Sequence, residues 1–202
     1  LEDLGLSENT VVIYSSDQGF YVGDHGWYDK RWMYEESLKM PFIIKWPGVT
    51  QPGSVNEDMI QNLDYAETFL DMAQAPIPAD MQGRSLVPLL KGETPADWRT
   101  SIYYHYYEYP SVHMVPRHYG IRTERYKLMH FYEFDEWEFY DLENDPDELK
   151  NLYEDESYSA TIESVRNQLG GLREAYKDTG DISRKPLEWR QKNRPGEVDL
   201  DE

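Results

Sequence analysis

A polar, glycine-rich stretch at residues 15–30 (SSDQGFYVGDHGWYDK) carries the side chains best suited to chemistry. Asp17 and Gln18 offer adjacent carboxylate and amide oxygens, which are hard ligands that suit calcium or magnesium. His25 can exchange a proton near neutral pH, and Lys30 is a compact cation that can hold an anion or protonate a leaving group. A metal ion and an ammonium group that face one anionic ester would polarise it and stabilise the charge that develops during hydrolysis.

The element that must position this stretch is the short apolar run before it. Residues 10–15 (TVVIYS) are β-branched and apolar, which predicts a strand buried on both faces, as in a parallel sheet covered by helices. In open α/β sheets ligands gather beyond the carboxyl ends of strands, which is where Asp17 and Gln18 fall. An Asp-Gln-Gly sequence after a strand is more often a simple turn, so these residues alone leave both interpretations open.

Two further elements are predicted in the first half of the chain. Residues 41–46 (PFIIKW) form a second apolar strand that ends at a Pro-Gly pair. Residues 62–73 (NLDYAETFLDMA) show apolar side chains at helical spacing, and Asp64 is placed to cap that helix. We therefore expect residues 1–97 to belong to an α/β domain with a mostly parallel sheet covered by helices, and the family resemblance given below implies that they are an incomplete, C-terminal part of it.

The pattern changes near residue 98. Four short, aromatic-rich runs at hairpin spacing predict a small antiparallel sheet. Apolar residues at steps of three and four over 157–177 then predict a long helix. We expect residues 98–180 to form a subdomain in which this sheet packs with the long C-terminal helix. Residues 181–202 are a charged tail with few apolar residues, expected to cross the surface or to be partly disordered.

Composition excludes several classes of function. The chain carries 39 acidic and 20 basic residues, a net charge of −19, so we expect neither nucleic acid nor a membrane as a partner. The sequence has no apolar run of about 18 residues and therefore no predicted transmembrane helix. It has no cysteine, which rules out disulfides, thiolate metal ligands and cysteine nucleophiles within these 202 residues.

The order of several motifs over residues 15–48 resembles the C-terminal half of the sulfatase family, within the alkaline-phosphatase superfamily. A strand is followed by S-D-Q-G, G-D-H-G, a lysine, Y-E-E-S-L-K-M-P and a second strand that ends in W-P-G. The resemblance continues through residues 83–92, 118–128 and 139–152. It covers nearly the whole chain except about the last 20 residues.

The resemblance implies a role for each polar residue of the first loop. Sulfatases hold one calcium ion with four side chains, two of which match Asp17 and Gln18, while the other two would lie upstream of residue 1. Many members have Asn or His where this chain has Gln18, whose amide oxygen can serve on a longer arm. Lys30 matches the sulfate-binding lysine, which contacts a sulfate oxygen and the bridging ester oxygen. His25 matches a position near the substrate.

One part of the family pattern is missing. The family's nucleophile is a formylglycine made from Cys or Ser in a C/S-x-P-S-R motif, which these residues lack. We therefore expect the chain to be the C-terminal portion of a larger sulfatase that acts on a sulfated polysaccharide or oligosaccharide, with the rest of the enzyme as its partner. A phosphoester or phosphonate hydrolase of the same superfamily and a non-catalytic saccharide-binding fragment are the alternatives. Family habit suggests a bacterial periplasmic or secreted enzyme.

A second cluster of basic residues is a candidate for binding substrate. His113, Arg117 and His118 fall within six residues of an otherwise acidic chain, and arginine can hold sulfates or carboxylates with two hydrogen bonds. In the competing interpretation Arg117 pairs with a local glutamate and His118 packs against the small sheet. Other ionisable residues are expected to be structural, namely His105, His130, Arg122 and Lys127. Of Glu35 and Glu36, one is expected in a buried cap or ion pair and the other in solvent.

Overall fold

The computed structural model describes residues 1–109, 112–178 and 180, and it divides the chain into two compact units. The first unit comprises Leu1–Gly19 and Lys39–Thr100, and the second comprises Phe20–Leu38 and the chain from Ser101 onward. Most of the polar loop therefore belongs to the same unit as the C-terminal half. The boundaries at 97 and 180 remain a prediction, and the charged tail at 181–202 lies outside the described residues.

The first unit contains a pair of strands, β1 (Val12–Ser15) and β2 (Phe42–Lys45). They run antiparallel, with Ile13 opposite Ile44, so the expectation of parallel neighbours does not hold for this pair. Alternate side chains along both strands are exposed, because within the described residues only one face of the pair is covered. A run of apolar residues does not reveal how many faces are covered.

The first unit also contains two α-helices, α2 (Asp64–Met72) and α3 (Val87–Leu90). The preceding helix, α1 (Glu35–Leu38), belongs to the second unit. Asp64 does not cap α2, so that prediction was wrong. Its buried carboxylate instead accepts hydrogen bonds from the main-chain N–H groups of Gln61 (2.7 Å) and Arg84 (2.9 Å). It also pairs with both terminal nitrogens of Arg99, at 2.5 and 2.6 Å. Asp64 thus joins three segments of the unit.

The second unit is built on a four-stranded antiparallel sheet, as predicted. The order is β3-β4-β5-β6, with β3 at Ser101–Tyr106, β4 at His118–Thr123, β5 at Tyr126–Phe131 and β6 at Glu136–Asp141. The long helix is α4 (Ser159–Ala175), and it packs against one face of this sheet. The core between them consists of Ile121, Leu128, Phe139, Leu152, Ile162, Val165 and Leu169. The predicted pairing of a small sheet with a C-terminal helix is confirmed.

The opposite face of the sheet is covered by residues 20–38, which end in the short helix α1 (Glu35–Leu38). Successive side chains of a strand point to opposite faces, so Met129 and Tyr140 face away from the neighbouring Leu128 and Phe139. The cluster on this face consists of Tyr21, Met33, Tyr34, Met129, Phe131 and Tyr140. The second unit therefore has three layers: α4, the sheet, and the segment that carries His25 and Lys30.

No helix among residues 1–109, 112–178 and 180 is both long and apolar enough to cross a bilayer.

Gly120 on β4 allows residues 20–38 to approach the sheet, which makes a substitution there informative. A Cβ at Gly120 would lie 2.4 Å from the Leu128 carbonyl oxygen and 2.6 Å from the Met33 sulfur. We expect Gly120→Ala to destabilise the protein by about 1–3 kcal/mol, measured as a lower denaturation midpoint of the full-length protein. Gly170→Ala is the control, because Gly170 lies within α4 with open space around it and should gain about 0.5–1 kcal/mol. Equal midpoints for the two variants would contradict this account of the layer contact.

Candidate active site

The two candidate metal ligands lie in the first unit, directly after β1. The Asp17 carbonyl accepts a hydrogen bond from Asn62 Nδ2 at 2.9 Å, and the Gln18 carbonyl accepts one from Ser16 Oγ at 2.9 Å. Ser16 Oγ also lies 3.3 Å from Asp17 Oδ1. Asp17 is exposed and Gln18 is half-buried. The main chain of the pair is thus fixed by its neighbours, and two oxygen-bearing side chains project from adjacent positions.

Lys30, the candidate sulfate-binding residue, belongs to the second unit and is half-buried. Its main-chain carbonyl accepts a hydrogen bond from Ser37 Oγ at 2.7 Å, and Ser37 is fully buried in α1. The lysine main chain is therefore fixed to the helix that follows it. The prediction that Lys30 shares one anionic ligand with the metal ligands stays a prediction.

His25 occupies a tight turn in the middle of the segment. Its φ of 53° lies in the left-handed region, which non-glycine residues seldom adopt. Its ring stacks on Tyr34 with centroids 4.4 Å apart, and Nε2 lies 3.4 Å from a carboxylate oxygen of Glu36. The stacking and the ionic contact together fix the orientation of the imidazole. One glutamate of the Glu35–Glu36 pair was expected to face solvent, but Glu36 contacts His25.

The three candidate substrate-binding residues are not alike in their surroundings. His113 is partly exposed, and its Nδ1 lies 3.7 Å from Asp29, the neighbour of Lys30. Arg117 is buried, pairs with Glu133, and lies over the ring of Tyr132. His118 is fully buried among aromatic rings on the sheet face that carries residues 20–38. The contacts of Arg117 and His118 are those of the packing interpretation, and for His118 they include the ring of Trp32 in the Lys30 segment. His113 combines a contact to this segment with partial exposure.

Comparison with known proteins identifies the family to which the chain belongs. The family model described as N-sulphoglucosamine sulphohydrolase, C-terminal, matches residues 23–175. The chain belongs to the sulfatase family. An N-acetylglucosamine-6-O-sulfatase of Bacteroides thetaiotaomicron is 49% identical over 181 residues, which cover 88% of this chain and 32% of that relative.

Solved structures support the same assignment. The sulfatase chain matches a structure of a protein in complex with its substrate D-glucosamine-2-N,6-O-disulfate, with a TM-score of 0.86, 48% identity and coverage of 92% of this chain and 38% of the other. It also matches a phosphonate monoester hydrolase from Silicibacter pomeroyi, with a TM-score of 0.76, 26% identity and coverage of 87% and 37%. The chain thus spans between about a third and two fifths of the length of these relatives.

A buried ionic cluster beneath α1 supports the segment that carries Lys30. This Lys127 cluster consists of Glu35, Arg122, Lys127 and Glu148. The Lys127 ammonium, fully buried, lies 2.9 Å from Glu35 and 2.7 Å from Glu148, while Arg122 lies 3.1 Å from Glu35. Burial alone would raise the pKa of Glu35, but Lys127 and Arg122 lower it to about 2. Glu35 and the two basic residues are structural, as predicted.

Glu148 was missed by the sequence reasoning. It lies in an acidic stretch next to an Asp-Pro pair, yet it is buried and its carboxylate accepts a hydrogen bond from the main-chain N–H of Glu35 at 2.7 Å. Burial raises the pKa of this carboxyl group in spite of the neighbouring ammonium. The two partners are 113 residues apart, so local sequence contains no signal of the contact.

His118 provides a test of its own role. Its Nδ1 donates to the Pro116 carbonyl at 2.8 Å, so the neutral ring has Nε2 unprotonated and buried. Burial lowers the pKa of His118 from about 6.5 to about 4. The unfolded chain therefore binds the proton more tightly than the folded sulfatase does. The free energy of unfolding therefore has its full value above about pH 6.5. It falls by about 3 kcal/mol as the pH drops toward 4, because the unfolded chain takes up the proton first.

We expect His118→Phe in the full-length sulfatase to weaken the fall in melting temperature between about pH 7 and pH 4.5, measured by calorimetry. If the ring only packs inside the protein, the variant also keeps the substrate KM of the parent. An unchanged pH dependence would contradict the burial argument. A large rise in KM would instead support the predicted contact of His118 with substrate.

Proposed function

We propose that the protein containing this chain hydrolyses sulfate esters on a sulfated saccharide, and that a 6-sulfated glucosamine is its first candidate substrate. The observation that carries the proposal is the sequence Asp17-Gln18, His25 and Lys30 in one loop of a sulfatase chain. The 49% identity to an N-acetylglucosamine-6-O-sulfatase supports the choice of sugar. The activity of the whole protein is part of the proposal, because the chain covers 32% of that relative.

Asp17 and Gln18 fit calcium as part of a ligand set. Both offer oxygen donors, which calcium prefers, and they stand side by side after β1. The part of the chain that the structure describes contains no group of three or more His, Asp or Glu side chains that could hold a metal. The remaining ligands of the proposed calcium site are those that the family resemblance places upstream of residue 1. When bound, the ion would supply Lewis-acid polarisation of the sulfate oxygens.

Lys30 and His25 are the proposed catalytic residues of this chain. The Lys30 ammonium binds a sulfate oxygen and stabilises the negative charge that develops on the bridging ester oxygen. His25, oriented by Tyr34 and Glu36, exchanges a proton with the substrate. The nucleophile in this proposal is a formylglycine in the preceding part of the enzyme, because this chain has no cysteine and no C/S-x-P-S-R motif.

Substrate recognition and location belong to the same proposal. Of the three candidate residues for binding the saccharide, His113 has the strongest support, since it lies beside Asp29 in the Lys30 segment. Arg117 and His118 remain proposed with weaker support, because both are buried and their described contacts are those of packed side chains. We propose a periplasmic or secreted location in a bacterium, which suits an acidic chain of net charge −19.

The second candidate function is hydrolysis of a phosphonate or phosphate ester. The likeness to a phosphonate monoester hydrolase, with a TM-score of 0.76, favours it as the alternative. A non-catalytic saccharide-binding role is the third, and it predicts binding without turnover and without calcium.

A substrate panel separates these functions. The full-length protein, matured with formylglycine and loaded with calcium, would be assayed on glucosamine 6-sulfate, N-acetylglucosamine 6-sulfate and a phenyl phosphonate monoester. We expect sulfate release, measured by ion chromatography, to exceed phosphonate hydrolysis by about two orders of magnitude in kcat/KM, equivalent to about 3 kcal/mol. Preference for the phosphonate would replace the proposed function with the second candidate. Saccharide binding without release of either anion would replace it with the third.

The metal role of Asp17 has its own test. We expect Asp17→Ala in the full-length protein to remove bound calcium, measured by elemental analysis, and to lower kcat by at least about 1000-fold, since one charged ligand is lost. Asp80→Ala is the matched control, because Asp80 is an exposed aspartate of the same unit. Full calcium content in Asp17→Ala would show that this residue is not a ligand.

A further inference from the structure

Each main-chain carbonyl around Lys30 accepts a hydrogen bond of its own. Residues 29–32 form neither helix nor strand, so their carbonyl groups need partners other than a regular ladder. Each of the four consecutive carbonyls accepts a hydrogen bond from within the second unit. The donors to residues 29, 30, 31 and 32 are, in order, Tyr21 N (2.8 Å), Ser37 Oγ (2.7 Å), Tyr104 Oη (2.9 Å) and Tyr21 Oη (3.1 Å). We call these three donor residues, Tyr21, Ser37 and Tyr104, the carbonyl clamp.

The residues of the carbonyl clamp are fixed by their own surroundings. Tyr21 is fully buried, and its hydroxyl also accepts a hydrogen bond from Tyr34 N at 3.1 Å. Tyr104 extends from β3, a strand of the sheet on which the segment lies. Ser37 is fully buried in α1. The donors therefore come from the segment itself, from its helix and from the sheet beneath it.

The Lys127 cluster connects the Ser37 donor to the sheet. Glu148 accepts the main-chain N–H of Glu35, the first residue of α1, while Lys127 of β5 pairs with both carboxylates. Three buried charged groups thus hold the helix that bears Ser37. A shift of α1 would separate these charges inside the protein, which is unfavourable because a buried charge needs its partner.

We propose that the carbonyl clamp positions Lys30 for its contact with the anionic ester, so that Ser37 and Tyr104 are positioning residues of the reaction. The inference rests on the proposed function, because it gives Lys30 the sulfate-binding role. Lysine has a long flexible stem, so the ammonium can be placed reproducibly only if the main chain at its base is fixed. A misplacement of about 1 Å can cost about 100-fold in rate, which makes the hydrogen bonds to residues 29–32 relevant to turnover.

The test uses variants that remove one hydroxyl each. Tyr104→Phe and Ser37→Ala would be made in the full-length protein and assayed on the best substrate of the panel. We expect kcat to fall about tenfold in each, while KM changes less than about twofold, because the contact that suffers is the one strengthened in the transition state. Tyr158→Phe is the matched control, since it also removes one tyrosine hydroxyl, which donates to Asp141 at 3.1 Å and has no contact with residues 29–32. Its kcat should equal that of the parent.

A double-mutant cycle distinguishes positioning from general destabilisation. In a Lys30→Ala background, followed over long incubations, Tyr104→Phe should cause no further loss, because its hydroxyl acts through Lys30. If the two losses multiply, or if Tyr104→Phe and Ser37→Ala turn over like the parent while Lys30→Ala does not, the positioning inference is wrong and the proposed function stands. If Lys30→Ala itself retains full activity, the role of Lys30 in the proposed function fails.

Discussion

A fully buried ammonium group, that of Lys127, is the constraint on which the second unit depends. Such a charge is tolerated only when it is paired, because the interior solvates ions poorly. Here Glu35 and Glu148 supply two carboxylates, and Arg122, which pairs with Glu35, supplies the second cation of the cluster. Replacing such a cluster by apolar side chains often costs little, but removing one member leaves an unpaired charge at a cost of about 3–5 kcal/mol. The cluster therefore restricts α1 to one place on the sheet more than it adds net stability.

This restriction explains how a loop without regular structure can hold the proposed catalytic residues in place. One face of the sheet packs against α4 through an apolar core. The other face has a mixture of aromatic packing and buried ion pairs, which selects one arrangement of residues 20–38. Apolar contacts alone are non-directional and would tolerate sliding of the segment. Hydrogen bonds and ion pairs are directional, and they hold the loop that bears His25 and Lys30.

Sequence patterns predicted an element or a residue's role correctly where the residues that interact lie close together in the chain. Helical spacing located α4, and alternation with hairpin spacing located the four strands, because each signal repeats within a few residues. Asp64 was read as a cap because a cap is the local role of an aspartate, whereas its partners Arg84 and Arg99 are 20 and 35 residues away. Glu148 and the Tyr104 donor of the carbonyl clamp were missed for the same reason, because their partners are 113 and 73 residues away. Asp17 and Lys30 were proposed as site residues from the order of the family motifs. Hydrophobic periodicity carries no information about that order.

The basic cluster at residues 113–118 shows a limit of reading charge in this chain. The chain has 39 acidic and 20 basic residues, which is about two carboxylates for each cation. A basic side chain therefore readily forms an ion pair within the protein. Arg117 with Glu133, Arg99 with Asp64 and Arg125 with Asp141 are three examples among the described residues. A cluster of cations in an acidic chain is therefore weak evidence for an anionic ligand.

The choice between sulfate and phosphonate cannot come from the scaffold, since a phosphonate monoester hydrolase shares it at a TM-score of 0.76. Both a sulfate monoester and a phosphonate monoester present a tetrahedral centre with a single negative charge at neutral pH. A lysine held by its main chain and a divalent cation would stabilise either anion, because neither group recognises the central atom. Discrimination must therefore rest on side chains that contact the rest of the substrate and on the nucleophile. Within this chain His113 is the best placed of the predicted residues for that purpose, because it combines partial exposure with a contact to the Lys30 segment.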